Sequence, residues 1–86
     1  MGRYRVLLEK RAQRQLEKSD ENECKRILEA LHVLSEEGFS SRLDLKKLKG
    51  YENQYRLRVG RYRVLFDLQV ERTVIVYAVL PRKQAY

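Results

Sequence analysis

Arg56, Arg58 and Arg63 have the residue type and spacing that most invite chemistry in this 86-residue chain. They lie in YRLRVGRYRVLF, residues 55–66, which alternates with a period of two on both sides of Gly60-Arg61. Glycine at the first position of a two-residue loop suits a type II′ hairpin turn, which needs a positive φ there. That turn sets Val59 opposite Tyr62, Arg58 opposite Arg63 and Arg56 opposite Leu65. Tyr55, Leu57, Val59, Tyr62, Val64 and Phe66 then share one face, and the three arginines share the other. Like charges directly opposite one another across strands are destabilising. An anion bound among them relieves that repulsion and gains hydrogen bonds, and the guanidinium fork matches phosphate oxygens. The competing reading, a merely solvated sheet face, gives no reason for the alignment.

The hairpin needs elements to carry it. Tyr4 to Glu9 alternates as a first strand, with Tyr4, Val6 and Leu8 on one side. Lys10 to Lys18 suits a short helix through the spacing of Ala12 and Leu16. Asp20 with Glu23 three residues later reads as a capping box. From there Cys24, Ile27, Leu28, Leu31 and Leu34 form an apolar stripe, and Gly38 is a natural helix stop. Residues 39–54, with the cluster KKLKG at 46–50, read as a loop. TVIVYAVL, residues 73–80, is apolar on both alternations and reads as an inner strand ended by Pro81. The expected fold is α+β in the order β-α-α-β-β-β. A two-helix hairpin packs on one face of a small, largely antiparallel four-stranded sheet, within a single domain spanning residues 1–86. The pattern leaves open where the first strand pairs. The arginines point away from the helices.

Composition narrows the function classes. The formal net charge is +7, yet residues 1–45 carry nine basic and nine acidic side chains, so the whole excess lies in residues 46–86. An excess confined to the half that holds the hairpin points to an anionic partner rather than to general basicity. Cys24 is the only cysteine and His32 the only histidine, so no cysteine zinc site and no intrachain disulfide can form. No metal site is expected: Cys24 reads as a small core residue and His32 as part of a solvated helix face. No apolar run approaches the roughly 20 residues of a membrane span. The start MGRYRVLLEK has neither a signal peptide's apolar region nor the Ser/Thr of a myristoylation signal, so a cytoplasmic location is expected.

KLKG, then YRLRVGRYRVLF, then a β-branched strand, then PRKQAY resembles the RelE/ParE toxin superfamily over nearly the whole chain. The hairpin followed about twenty residues later by Arg-x-x-x-Tyr is the most specific piece, and the likeness is greatest to archaeal RelE-type mRNA interferases. The resemblance implies a type II toxin-antitoxin toxin: a ribosome-dependent, metal-independent endoribonuclease that needs no cofactor. Such a protein cuts mRNA in the ribosomal A site, inhibits translation and is masked by a RelB-like antitoxin. Its partners would be that antitoxin, the ribosome and mRNA, with no membrane contact, and with operator DNA met only as the toxin-antitoxin complex.

Carried over position by position, the resemblance assigns Arg56, Arg58, Arg63, Arg82 and Tyr86 to catalysis. Lys46, Lys47, Lys49 and Lys83 go to RNA binding. Many relatives have a histidine just before the final arginine, whereas this chain has Pro81, so a histidine acid or base is not expected. Arginines stay protonated and make poor bases. Tyr86 is therefore left either as a base made more acidic by guanidiniums or as a stacking platform for an mRNA base. A ParE-like inhibitor of DNA gyrase and a non-catalytic nucleic-acid-binding module are the alternatives, since fold alone does not choose between them.

Overall fold

The computed structural model describes residues 3–50 and 52–82. The chain runs β1 (Arg5–Leu8), α1 (Lys10–Glu17), α2 (Glu21–Glu37), β2 (Asp44–Lys47), β3 (Gln54–Val59), β4 (Tyr62–Gln69) and β5 (Thr73–Pro81). The strands form one mixed sheet in the order β1-β5-β4-β3-β2. β1 lies parallel to β5 and the other three pairings are antiparallel. The fold is α+β as expected, with five strands rather than four. The extra strand, β2, lies inside the segment expected to be a loop. It escapes a pattern reading because DLKK offers one apolar residue, and its strand state comes from pairing with β3, which no local signal reports.

One face of the sheet is buried under both helices. Ala12 and Leu16 of α1 and Ile27, Leu31 and Leu34 of α2 meet Leu57, Val64, Phe66, Val74, Val76 and Val79 in one core. The hairpin residues Tyr55, Val59 and Tyr62 pack at its margin, as do Tyr4 just before β1, Val6 and Leu8 of β1, and Leu45 of β2. The helix boundaries follow the expected spacing, with two departures. Leu28 is half exposed, because the line of contact with the core runs through Ile27, Leu31 and Leu34. The capping box is not made: Asp20 precedes the helix but its side chain makes no cap hydrogen bond. Glu23 turns instead toward the β3–β4 turn, with Oε1 3.8 Å from Arg26 Nη1. Cys24 is partly buried against the core and His32 is exposed.

Two edges are closed by side chains. Ser35 Oγ donates to Tyr4 O at 2.9 Å and Tyr4 N donates to Ser35 O at 2.8 Å, which ties the start of β1 to the end of α2. β1 stops at Leu8, so the next stretch of β5 has no strand on that side. There Val79 N donates to Gln15 Oε1 of α1 at 2.7 Å. β5, apolar on both alternations, carries a bulge. Leu65 pairs with Ala78 and Phe66 with Val76, so Tyr77 is extra and the alternation shifts. No helix among the described residues is long and apolar enough to cross a membrane.

The turn that sets the hairpin register has little room. Gly60 has φ +56°, and a Cβ there would come 2.9 Å from Glu23 Oε2. Gly60→Ala is expected to cost about 1–3 kcal/mol through backbone strain and this collision. A Glu23→Ala change made in the same chain should recover part of the loss. Urea midpoints of the single and double variants check both.

Candidate nucleic-acid interface

The hairpin register is the expected one: Arg58 pairs with Arg63, Arg56 with Leu65 and Val59 with Tyr62. Leu57, Val64 and Phe66 are fully buried toward the helices, so the arginines stand on the face that the helices leave open. At the turn end of this face, Arg58, Gly60, Arg61, Tyr62, Arg63 and Arg82 line a small cleft of about 30 Å³. The backbone brings Arg82 there, since Arg82 N donates to Arg61 O at 2.7 Å just past β5. Three of the five residues assigned to catalysis therefore converge: Arg58 and Arg63 from the hairpin and Arg82 from just past β5. Such a cluster can hold a phosphate through several charge-assisted hydrogen bonds.

Arg56 does not join them. Its relative exposure is 9%, and its Nη2 lies 3.5 Å from Asp44 Oδ1. Its Nε is buried without a hydrogen-bond partner among the described residues. The cause is β2, which lies alongside β3 and covers what would otherwise be an edge. Lys46 shares the arginine face, directly across from Arg56. Lys47 pairs with Tyr55 and so belongs to the other face. With Lys49 it lines a separate hollow at the β2–β3 loop rather than the arginine cleft. Tyr86 and Lys83 lie outside the described residues.

Sequence reasoning missed three members of this surface. Arg61 lines the cleft beside the expected arginines, and its place in the turn was the signal. Asp44 was hidden because β2 was read as loop. Tyr77 was hidden by the bulge, and its hydroxyl donates to Gln54 Oε1 at 3.1 Å across β4. A wider hollow, about 690 Å³, is at the opposite end of the sheet. Asn53, Asp67, Leu68, Gln69 and Val70 line it, and none of them is a cation. No group of three or more His, Cys, Asp or Glu among the described residues could hold a metal ion.

A sequence profile described as the ParE toxin of the type II toxin-antitoxin system, parDE, matches residues 6–86. The chain belongs to the RelE/ParE superfamily of type II toxins. It is 34% identical to the RelE toxin of Methanococcus jannaschii, solved as an antitoxin-toxin complex with RelB. That match has a TM-score of 0.81 and covers 94% of this chain and 95% of the other. The archaeal RelE-RelB complex from Pyrococcus horikoshii gives the same TM-score of 0.81 at 28% identity, covering 99% of this chain and 100% of that one. Toxin RelE3 of Methanocaldococcus jannaschii is 49% identical over 45 residues, 52% of this chain. That match spans half the relative's length, 50%.

Within this RelE/ParE scaffold the arginines divide by burial, and stability separates them. Arg56→Ala should cost about 1–3 kcal/mol, because a buried stem and head are lost. Arg58→Ala should be neutral, or stabilising by up to about 0.5 kcal/mol, because it removes a like-charge cross-strand pair. Thermal melts of the two variants against wild type measure the difference.

Proposed function

We propose that this chain, acting as one toxin domain in the cytoplasm, is a ribosome-dependent endoribonuclease that cuts mRNA in the A site, and that a RelB-like antitoxin masks it. The observation that carries the reading is the convergence of Arg58, Arg63 and Arg82 on one cleft of the open sheet face. It is supported by the similarity to RelE toxins that were solved with RelB. The antitoxin segment that fits a +7 chain is acidic and amphipathic.

RNA can be cut without a metal when the 2′-hydroxyl attacks the adjacent phosphorus and the 5′-oxygen leaves. That step needs a base for the hydroxyl proton, positive charge at the phosphorane oxygens and a proton or cation for the leaving oxygen. Arg63 and Arg58 stand opposite each other, where both can reach one phosphate, and Arg82 approaches from the end of β5. In this reading they carry the charge stabilisation. Lys46, the solvent-facing Lys47 and Lys49, and Lys83 add attraction to the RNA backbone without selecting sequence. Arg56, being buried, supports the surface rather than touching the phosphate. Tyr86 supplies the base or the stacking platform. The ribosome supplies the rest by holding the message in an attack-ready geometry, an effect worth several kcal/mol.

A second reading, inhibition of DNA gyrase, is favoured by the ParE description of the matching profile. The two are separated by assaying mRNA cleavage on programmed ribosomes beside gyrase supercoiling. Cleavage with supercoiling intact is expected, and the reverse would replace the nuclease reading. On ribosomes, Arg63→Ala and Arg82→Ala should each lose at least about tenfold in rate while remaining folded. Tyr86→Phe should cut more slowly than wild type and Tyr86→Ala more slowly still. Full activity in the phenylalanine variant alone would make Tyr86 a stacking residue.

Free RNA should be cut far more slowly than ribosome-held message. Protein treated with a chelator and then freed of it should cleave as before. Rapid cutting of naked RNA, or activity lost to the chelator and restored by a metal, would count against the mechanism.

A further inference from the structure

β2 brings a carboxylate onto the arginine face. Asp44 stands directly opposite Arg58, with Oδ2 3.8 Å from Arg58 Nε and Oδ1 3.5 Å from Arg56 Nη2. A second carboxylate on this face of the sheet, Asp67 of β4, pairs with Gln54 at the end away from the turn. As a stabilising contact Asp44 has little to offer. Its side chain is 54% exposed and both ion pairs are long, conditions under which such pairs contribute almost nothing to folding. As part of a surface that attracts phosphate it is worse than neutral, because it places a negative charge beside the cations.

The contact geometry gives it another use. Arg58 is 47% exposed on a stem with many rotamers, and Asp44 meets it at Nε. That contact biases the guanidinium toward rotamers with Nε beside the carboxylate, and Arg58 also lines the cleft it shares with Arg63 and Arg82. A head biased this way has less rotamer entropy left to lose when the phosphate arrives. We propose that Asp44 is a positioning residue that orients Arg58 for the phosphate of the scissile bond and, in doing so, lowers the affinity for RNA in the ground state. The inference rests on the nuclease reading above and deepens it. Weaker ground-state binding combined with better placement in the transition state is the combination that raises turnover.

The test compares full-length wild type, Asp44→Asn and Asp44→Glu in two assays. One is equilibrium binding of a short single-stranded RNA, and the other is single-turnover cleavage on programmed ribosomes. Asparagine keeps the size and one acceptor oxygen, and urea midpoints confirm that the variants are folded. Asp44→Asn should bind the RNA about two- to fivefold more tightly, the scale of an exposed ion pair. It should also cleave at least about fivefold more slowly, and Asp44→Glu should recover part of the rate. A purely structural role would weaken binding and cleavage together. An asparagine variant that binds no more tightly than wild type, or that cleaves as fast, overturns the inference. Wild-type protein that leaves ribosome-held mRNA intact overturns the nuclease reading instead, and the binding comparison then decides the role of Asp44.

Discussion

The register of the β3–β4 hairpin governs the rest of the molecule. A two-residue turn with Gly60 at φ +56° sets Val59 opposite Tyr62, and every later pair follows from it. Slipping one strand by a residue would carry its apolar set to solvent and its guanidiniums under the helices. The magnitudes decide which arrangement holds. Burying Leu57, Val64 and Phe66, each at 0% exposure, gains about 1.5–3 kcal/mol apiece. The repulsion between Arg58 and Arg63 costs about 0.2–1 kcal/mol. The apolar face therefore dictates the register, and the charged face accepts the geometry that results. Folding energy drawn from one side of the sheet holds an unfavourable charge arrangement on the other.

Alternation made that hairpin legible from sequence, and helical spacing did the same for α1 and for most of α2. What escaped depended on partners distant in the chain. β2 has a weak pattern of its own, and without it neither the burial of Arg56 nor the carboxylate beside Arg58 could be foreseen. Glu23 had the right spacing for a capping box, yet it packs at the turn some forty residues away, a choice made by tertiary contact rather than by the helix. β5 concealed its bulge because its residues are apolar on both alternations, so a shift of phase left no trace. Arg82 could be tied to the hairpin only by resemblance, since its approach depends on a backbone bond to Arg61.

Both helices cover the same face, so the sheet is a two-sided plate with separate duties. The covered side carries the stability. The open side is free to collect charge from strands far apart in sequence: Lys46 and Asp44 from β2, Arg58 and Arg63 from the hairpin, and Arg82 from just beyond β5. The superfamily fold does not itself dictate what this plate does. The open side carries the guanidiniums, and substitution of its exposed members such as Arg58 is cheap for folding because the core lies behind them, buried Arg56 being the exception.

The parallel pairing of β1 with β5 also fixes an order of events in the life of the chain. Residues 5–8 are made well before residues 73–76, their pairing partners, and β5 alone joins β1 to the rest of the sheet. Until β5 has been synthesised and released into solution, β1 has no partner, α1 has no strand to lie along, and Arg82 does not yet exist. Domains generally fold as units during synthesis, and pairings between distant segments form last. The arginine cleft is thus assembled only once β5 and Arg82 have joined strands made long before them.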